Sequence, residues 1–125
     1  MLHLDTNALI ALPVWAREGH TLIERVLSGE QAAVSAVAWY EFLCGPVAQK
    51  EIELASAFIE NRVIPVDADH AALAAELFNA SGRRRVLRTD TLIAAVALHA
   101  DADLVTLNRK DFEAINAPRL RLLPP

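Results

Sequence analysis

The chain has 125 residues, of which 54% are hydrophobic and 22% are charged, and its formal net charge is -4. That length fits one domain over residues 1–125, and the composition excludes a disordered chain. A negative balance gives no long-range attraction for nucleic acid, and a single cysteine excludes an internal disulfide. No apolar run approaches the roughly 20 residues that span a bilayer. We therefore expect a cytoplasmic protein without a membrane segment.

Short apolar strand candidates alternate with longer segments of helical period. Strands are predicted at residues 2–5, 33–37, 63–66, 104–107 and 120–123. The alternation predicts an α/β fold with a mostly parallel sheet, covered by helices on both faces.

The helical segments are bounded by proline, glycine and capping residues. Residues 8–27 follow the first strand, and we expect Pro13 and Gly19 to break them into two helical pieces. A further helical region is predicted to follow Trp39, with an interruption at Gly45-Pro46 and an apolar stripe over residues 47–59.

Two more helices are predicted in the second half of the chain. Asp69 is expected to cap a helix that ends at Ser81-Gly82, and Thr89 is expected to cap a helix over residues 90–100. The latter segment is apolar almost all round, which predicts burial against the sheet.

Four acids stand near strand ends or helix starts. Asp5 ends the first strand, Glu41 follows the apolar run 32–39, Asp90 opens a helix, and Asp111 lies just beyond residues 104–106. In open α/β sheets, sites form at the carboxyl ends of the strands. Converging carboxylates repel one another unless cations lie between them, and Mg²⁺ prefers oxygen ligands. The pattern predicts a Mg²⁺-dependent phosphodiesterase site with these acids as catalytic and metal-binding residues.

Separate roles are predicted within this group. Asp5 and Asp90 form the central pair, because the helix dipole favours the ionised form of an acid in the first turn. Glu41 has a longer side chain and is the candidate general base for an attacking water. Candidates for orienting the acids or a bound water from behind are Thr6, Asn7 and Thr106.

Four segments of the chain carry a family resemblance. They are Leu4-Asp5-Thr6-Asn7, Glu41-Phe42-Leu43-Cys44-Gly45, Thr89-Asp90-Thr91-Leu92-Ile93-Ala94-Ala95 and Val105-Thr106-Leu107-Asn108-Arg109-Lys110-Asp111-Phe112. In this order they look like the signature segments of PIN domains, most closely those of VapC-type toxins from bacterial toxin-antitoxin pairs. The resemblance implies a three-layer α/β/α PIN-like fold and an Mg²⁺- or Mn²⁺-dependent endoribonuclease. It also implies an RNA substrate, a cognate antitoxin protein and a homodimer.

The fourth acidic position departs from the pattern of many PIN domains. Those proteins carry an acid two residues after the threonine, where this chain has Asn108, whereas others use the aspartate three residues further on, here Asp111. An amide offers a carbonyl oxygen without charge, so Asp111 is the predicted ligand and Asn108 a possible one.

Basic residues flank two of the acids. Such runs are usually solvated loops, but at the mouth of a carboxylate site they can hold a phosphate backbone. The candidates for RNA contact are Arg83, Arg84, Arg85, Arg88, Arg109 and Lys110. The histidines lack metal-ligand spacing, and His3 is expected to be packed or satisfied inside the fold and not to be catalytic.

Other interpretations of the same residues remain open. Asp5 and Asp111 could serve only as helix caps, Asp90 as a helix-start acid, and Glu41 as a solvated charge. A phosphotransfer domain is an alternative, either receiver-like or an aspartyl phosphatase with Asp5 as nucleophile, although a second aspartate at position 7 is missing. The third alternative is a non-catalytic interaction module on the same fold.

Overall fold

One parallel sheet organises residues 1–124, which are the residues described by the computed structural model. Its strands are β1 (Leu2–Leu4), β2 (Ala32–Ser35), β3 (Val63–Ile64), β4 (Asp103–Val105) and β5 (Arg121–Leu123). They lie in the order β3-β2-β1-β4-β5, and each neighbouring pair is parallel. The predicted parallel sheet is confirmed, although each strand is shorter than predicted.

Helices form the outer layers. They are α1 (Thr6–Glu18), α2 (Thr21–Leu27), α3 (Ala36–Cys44), α4 (Gln49–Phe58), α5 (Ala68–Ala80), α6 (Arg88–His99) and α7 (Arg109–Glu113). Every residue of β1 and β2 is buried, so helices cover both faces of the sheet, as the predicted α/β/α architecture requires. Within residues 1–124, no helix combines the length and apolar character that crossing a membrane needs.

The first helix does not break at Pro13, so that part of the prediction was wrong. Proline removes one backbone donor, but buried side chains before and after it, Leu9, Leu12 and Trp15, hold α1 in one piece against the core. The helix ends at Gly19, which adopts the left-handed conformation with φ 66°.

The second strand ends earlier than predicted, and the helix after it begins earlier. Ser35 ends β2, and its side-chain oxygen accepts a hydrogen bond of 3.1 Å from the backbone N–H of Ala38. This cap starts α3 at Ala36, so the predicted helix start after Trp39 was wrong. Glu41 consequently lies inside a helix that follows directly from the sheet.

Two capping predictions were also wrong. Asp67 caps α5 by accepting a hydrogen bond of 3.0 Å from the N–H of His70, whereas Asp69 lies in the first turn. Thr89 lies inside α6, which begins at Arg88 directly after a 3₁₀ turn, Arg85–Leu87. The predicted burial of α6 is confirmed, because its residues 93–97 are all buried.

The sheet order brings separate chain segments to one edge. β1 is the central strand, and the chain adds β2 and β3 on one side of it before it crosses to the other side, where it adds β4 and β5. Leu4 pairs with Val105, which places Asp5 and Thr106 side by side immediately beyond the strand ends. Such a switch point is where open α/β sheets hold their sites.

Candidate active site

Asp5 lies at the centre of this edge and is only 3% exposed. Its Oδ1 accepts a hydrogen bond of 2.8 Å from the N–H of Ala8, and its Oδ2 accepts one from the hydroxyl of Thr106. Burial raises the pKa of Asp5, and the charge of Glu41 acts in the same direction, against these hydrogen bonds, which lower it. Asp5 therefore caps α1 and also faces a second acid.

Asp90 lies in the first turn of α6, as predicted. Its pKa is raised to about 6, first by burial and then by the charges of Asp111, Glu41 and Asp5. Each of the other three predicted acids thus acts on this carboxyl group. The structure brings the four together although they are far apart in sequence.

Glu41 reaches the cluster from α3. The hydroxyl of Thr6 donates a hydrogen bond of 2.9 Å to its Oε1, which connects the start of α1 to α3. Thr6 therefore orients Glu41 and not Asp5. Asn7 acts on Asp5 through its backbone N–H, which lowers the pKa of that carboxyl, whereas the Asn7 side chain is exposed.

Asp111 lies in the first turn of α7 and is bound to Asn108. The side-chain amide nitrogen of Asn108 donates a hydrogen bond of 2.9 Å to Asp111 Oδ2, and its backbone N–H donates one of 2.8 Å to Thr106 Oγ1. Since the Thr106 hydroxyl in turn donates to Asp5, a chain of hydrogen bonds connects Asp111 to Asp5. The Thr106 hydroxyl thereby holds Oδ2 of Asp5 in place.

The carboxylates are near one another without forming a closed cage. Among residues 1–124, no group of three or more histidine, cysteine, aspartate or glutamate side chains has the geometry to hold one metal ion. Glu41 and Asp111 each accept a hydrogen bond from a neighbouring side chain, Thr6 and Asn108 respectively.

The predicted basic residues differ in how they are engaged. Arg83, Arg84, Arg85 and Arg88 are all exposed in the segment that leads to Asp90. Arg83 donates to Asn79, and the Arg88 guanidinium lies 5.7 Å from the centre of the Phe78 ring.

The other basic pair lies on α7. Arg109 donates to Glu113 at 2.6 Å and to the backbone oxygen of Pro124 at 2.9 Å, so its guanidinium is used within the protein. Lys110 is exposed.

His3 is buried, as predicted, with 2% exposure. Among residues 1–124, neither ring nitrogen has a hydrogen-bond partner, so the ring is packed inside the fold without its polar atoms being satisfied. Burial lowers the pKa of His3 to about 4, which keeps the ring neutral near pH 7.

An apolar groove of about 410 Å³ between α1, α2 and α4 did not emerge from the sequence patterns. It is lined by Leu12, Ala16, Ile23, Val26, Leu27, Leu54, Ala57, Phe58 and Glu60. Leu27 is 82% exposed beside it. An apolar residue at the end of a short helix could have indicated this surface, but scattered exposed apolar residues are ordinary.

The comparison with protein families decides the assignment of the fold. The sequence model of the PIN domain matches residues 2–118. The chain belongs to the PIN domain family. Membership supports a nuclease as the class of enzyme, and it leaves the phosphotransfer alternative without support.

Solved structures of similar fold are toxin-antitoxin complexes. VapBC2 from Rickettsia felis, bound to a DNA fragment from its promoter, has a TM-score of 0.66 at 24% identity, over 98% of this chain and 97% of that one. A toxin-antitoxin complex from Klebsiella pneumoniae has a TM-score of 0.68 at 24% identity, over 96% and 95%. DNA-bound VapBC from Salmonella typhimurium has 0.70 at 21%, over 97% and 95%. These likenesses extend the PIN fold over nearly the whole chain. A comparison with curated proteins found no match.

Proposed function

We propose that this PIN domain is a divalent-cation-dependent endoribonuclease, acting as the toxin of a type II toxin-antitoxin pair. The observation that carries the proposal is the convergence of four acids at one sheet edge, where three of them act on the pKa of Asp90. Asp5, Glu41, Asp90 and Asp111 are its proposed catalytic and metal-binding residues. Perturbed carboxyl groups gathered from separate elements are typical of functional sites.

The donor set fits Mg²⁺ or Mn²⁺. The four acids offer carboxylate oxygens, and the side chains that hydrogen-bond to them carry hydroxyl or amide groups, which suits hard cations. With a pKa of about 6, Asp90 is mostly ionised at neutral pH and available as a ligand. Asp5 is the most firmly held of the group because both of its oxygens accept hydrogen bonds.

The residues of the site have distinct roles in hydrolysis. When bound, a divalent ion lowers the pKa of a coordinated water and stabilises the charge on the leaving oxygen. Glu41 Oε1 is held by Thr6, which leaves Oε2 to accept the proton of the attacking water. Asp5 and Asp90 fix the position of the reacting centre, and Asp111 adds a further oxygen.

The RNA backbone is proposed to lie along the arginines before Asp90. Arg84 and Arg85 are exposed, and among the described residues their side chains make no hydrogen bond or ion pair. They are therefore free to bind phosphate oxygens, which gives local attraction despite the net charge of -4. Lys110 is a further candidate, and Arg109 a weaker one because of its bonds to Glu113 and Pro124. Because its proposed substrate is RNA, the protein is proposed to act in the cytoplasm.

Two protein partners are proposed. The solved structures of similar fold are complexes of toxin with antitoxin, and the groove between α1, α2 and α4 offers an apolar surface to an antitoxin. A homodimer is the second assembly, and exposed apolar residues on α1 and α3 support it. They are Ile10, Val14, Tyr40 and Leu43. Analytical ultracentrifugation of the isolated chain tests the dimer.

The decisive experiment compares the wild-type protein with Asp5→Asn. Both are expressed in cells, and newly formed RNA ends are sequenced. We expect new ends with the wild type and a loss of at least about 100-fold with Asp5→Asn, because the amide removes the central charge. Asp69→Asn, the same change at an exposed acid in α5, should cleave like the wild type.

Purified protein completes the test of the substrate. A single strand of RNA and a DNA strand of the same sequence are each incubated with Mn²⁺ and with a chelator. Cleavage of RNA alone, dependent on Mn²⁺, is the expected result. No cleavage of either strand, together with no effect of Mn²⁺ on melting, would favour the non-catalytic module.

A further inference from the structure

Asn108 connects two acids of the site, and its side chain has a defined direction. Its amide nitrogen Nδ2 donates a hydrogen bond of 2.9 Å to Asp111 Oδ2. Its backbone N–H donates one of 2.8 Å to Thr106 Oγ1, and the Thr106 hydroxyl donates to Asp5 Oδ2. One residue therefore contacts Asp111 directly and Asp5 through a single hydroxyl.

The amide donor lies where it offsets repulsion. Asp111 is one of the charges that raise the pKa of Asp90, so its carboxylate lies in a field of like charge. A hydrogen bond from an amide to a carboxylate stabilises the ionised form and fixes its orientation. The donation uses Oδ2 of Asp111, and among residues 1–124 Oδ1 accepts no hydrogen bond. An acid at position 108 would instead bring another negative charge to within about 3 Å of Asp111.

The segment around Asn108 is itself held in place from the sheet. The backbone N–H of Thr106 donates to the oxygen of Leu123 at 2.8 Å, which secures Thr106 against β5. Thr106 is 3% exposed, so its hydroxyl has little freedom to exchange its partners for water. The position from which Asn108 reaches Asp111 is thus set by β4 and β5.

We propose that Asn108 is a positioning residue that acts on divalent-cation affinity through Asp111, and that it does not bind the cation itself. The inference rests on the proposed function, since it assigns Asn108 a place in that same site. Asp111 supplies the charge, and the hydrogen bond from Asn108 fixes the orientation of that carboxylate. The chain therefore does not need an acid at position 108.

A double-mutant cycle separates positioning from direct ligation. Mn²⁺ affinity is measured by isothermal titration calorimetry for the wild type, Asn108→Ala, Asp111→Ala and the double variant. We expect Asn108→Ala to weaken Mn²⁺ binding by roughly three- to tenfold, the size of a typical net hydrogen-bond contribution. In the Asp111→Ala background the same change should alter the affinity by less than about twofold, because the residue through which Asn108 acts is gone.

A second readout follows the metal-free protein. In a chelator, Asn108→Ala should melt a few degrees below the wild type, and Asn108→Asp should melt lower still, because it places two carboxylates side by side. Asn116→Asp makes the same charge change at an exposed site beyond the C-terminal end of α7, and it should melt within about 1 °C of the wild type.

The outcomes are distinguishable. A loss of Mn²⁺ affinity on Asn108→Ala that persists in the Asp111→Ala background would make Asn108 a ligand and overturn the inference. Wild-type Mn²⁺ binding that Asn108→Ala leaves unchanged would overturn the inference and leave the proposed function standing. An absence of Mn²⁺ binding by the wild type would overturn the metal site and the inference together.

Discussion

The titration of Asp90 connects the candidate site to the stability of the fold. Its pKa rises from 3.8 to about 6 in the folded protein, so between these pH values the folded state binds more protons than the unfolded state. The stabilising contribution of the protonated carboxyl is therefore complete below pH 3.8 and is lost as the pH rises through 6. At neutral pH the ionised group destabilises the metal-free fold.

The variant Asp90→Asn should reverse this effect. An amide has the size of the carboxyl group without its charge, so at pH 7.5 in a chelator we expect the variant to be more stable by about 1 to 2 kcal/mol, a value reduced for partial exposure. The difference should shrink towards zero near pH 4. Urea unfolding of both proteins at a series of pH values measures it. A variant less stable than the wild type at pH 7.5 would contradict net repulsion between Asp90 and the other acids of the site.

The titration of His3 changes the stability in the opposite direction, so the stabilities of Asp90→Asn and the wild type must be compared at each pH separately. Its pKa falls from 6.5 to about 4, and stability from the neutral ring is present above pH 6.5 and lost as the pH falls through 4. Because both proteins carry His3, its contribution cancels in the difference between them. The stability of the wild type alone does not separate the contribution of Asp90 from that of His3.

At the scale of elements, the start of α3 decides where Glu41 lies. The side-chain oxygen of Ser35 accepts from the N–H of Ala38 at 3.1 Å, and Ser35 is 1% exposed. Ser35→Ala should therefore lower the free energy of unfolding by about 1 kcal/mol and the melting temperature by a few degrees. RNA cleavage should fall by less than about tenfold, because Glu41 is also held by Thr6.

Calorimetry and a cleavage assay on the same preparation check this prediction. Ser56→Ala, inside α4, serves as the control and should be neutral or slightly stabilising, since alanine is the better helix former. Equal melting temperatures for Ser35→Ala and the wild type would mean that the serine does not determine where α3 begins.

The same elements explain which features could be predicted from sequence. The β-α alternation and the acids after β1 and at the start of α6 were readable because apolar periodicity and strand ends are local signals. The start of α3 was not readable from the sequence. Residues 36 and 37 are apolar and continue the apolar run of β2, and only the Ser35 cap separates this strand from α3. Pro13 misled for the converse reason, since tertiary burial of α1 overrides a local breaker.

Contacts within the candidate site were less predictable than its members. The four acids could be selected from their positions in the chain. The hydrogen bonds that Thr6 donates to Glu41 and that Asn108 donates to Asp111 depend on side-chain directions. A hydrogen bond between residues 35 positions apart leaves no periodic signal in a sequence. The apolar groove escaped notice for a similar reason, because it joins three helices whose lining residues are separated along the chain.

At the scale of the whole molecule, the proposed site and the apolar groove are separate surfaces. Asp5 caps the first turn of α1, whereas the groove begins at Leu12, roughly 10 Å further along the helix axis. A partner can therefore bind the groove without its affinity depending on the four acids. This separation makes the proposed antitoxin contact testable independently of catalysis.

Leu27→Glu tests that contact. Leu27 is 82% exposed, so a charge introduced there should change the melting temperature by less than about 2 °C. If an antitoxin covers the groove, the same charge is buried without a partner and opposes binding. We expect the variant to keep RNA cleavage and to lose co-purification with the small protein encoded by the adjacent gene. Ala72→Glu adds the same charge on exposed α5 and should still co-purify. Retained co-purification of Leu27→Glu, at unchanged affinity, would place the antitoxin on another surface.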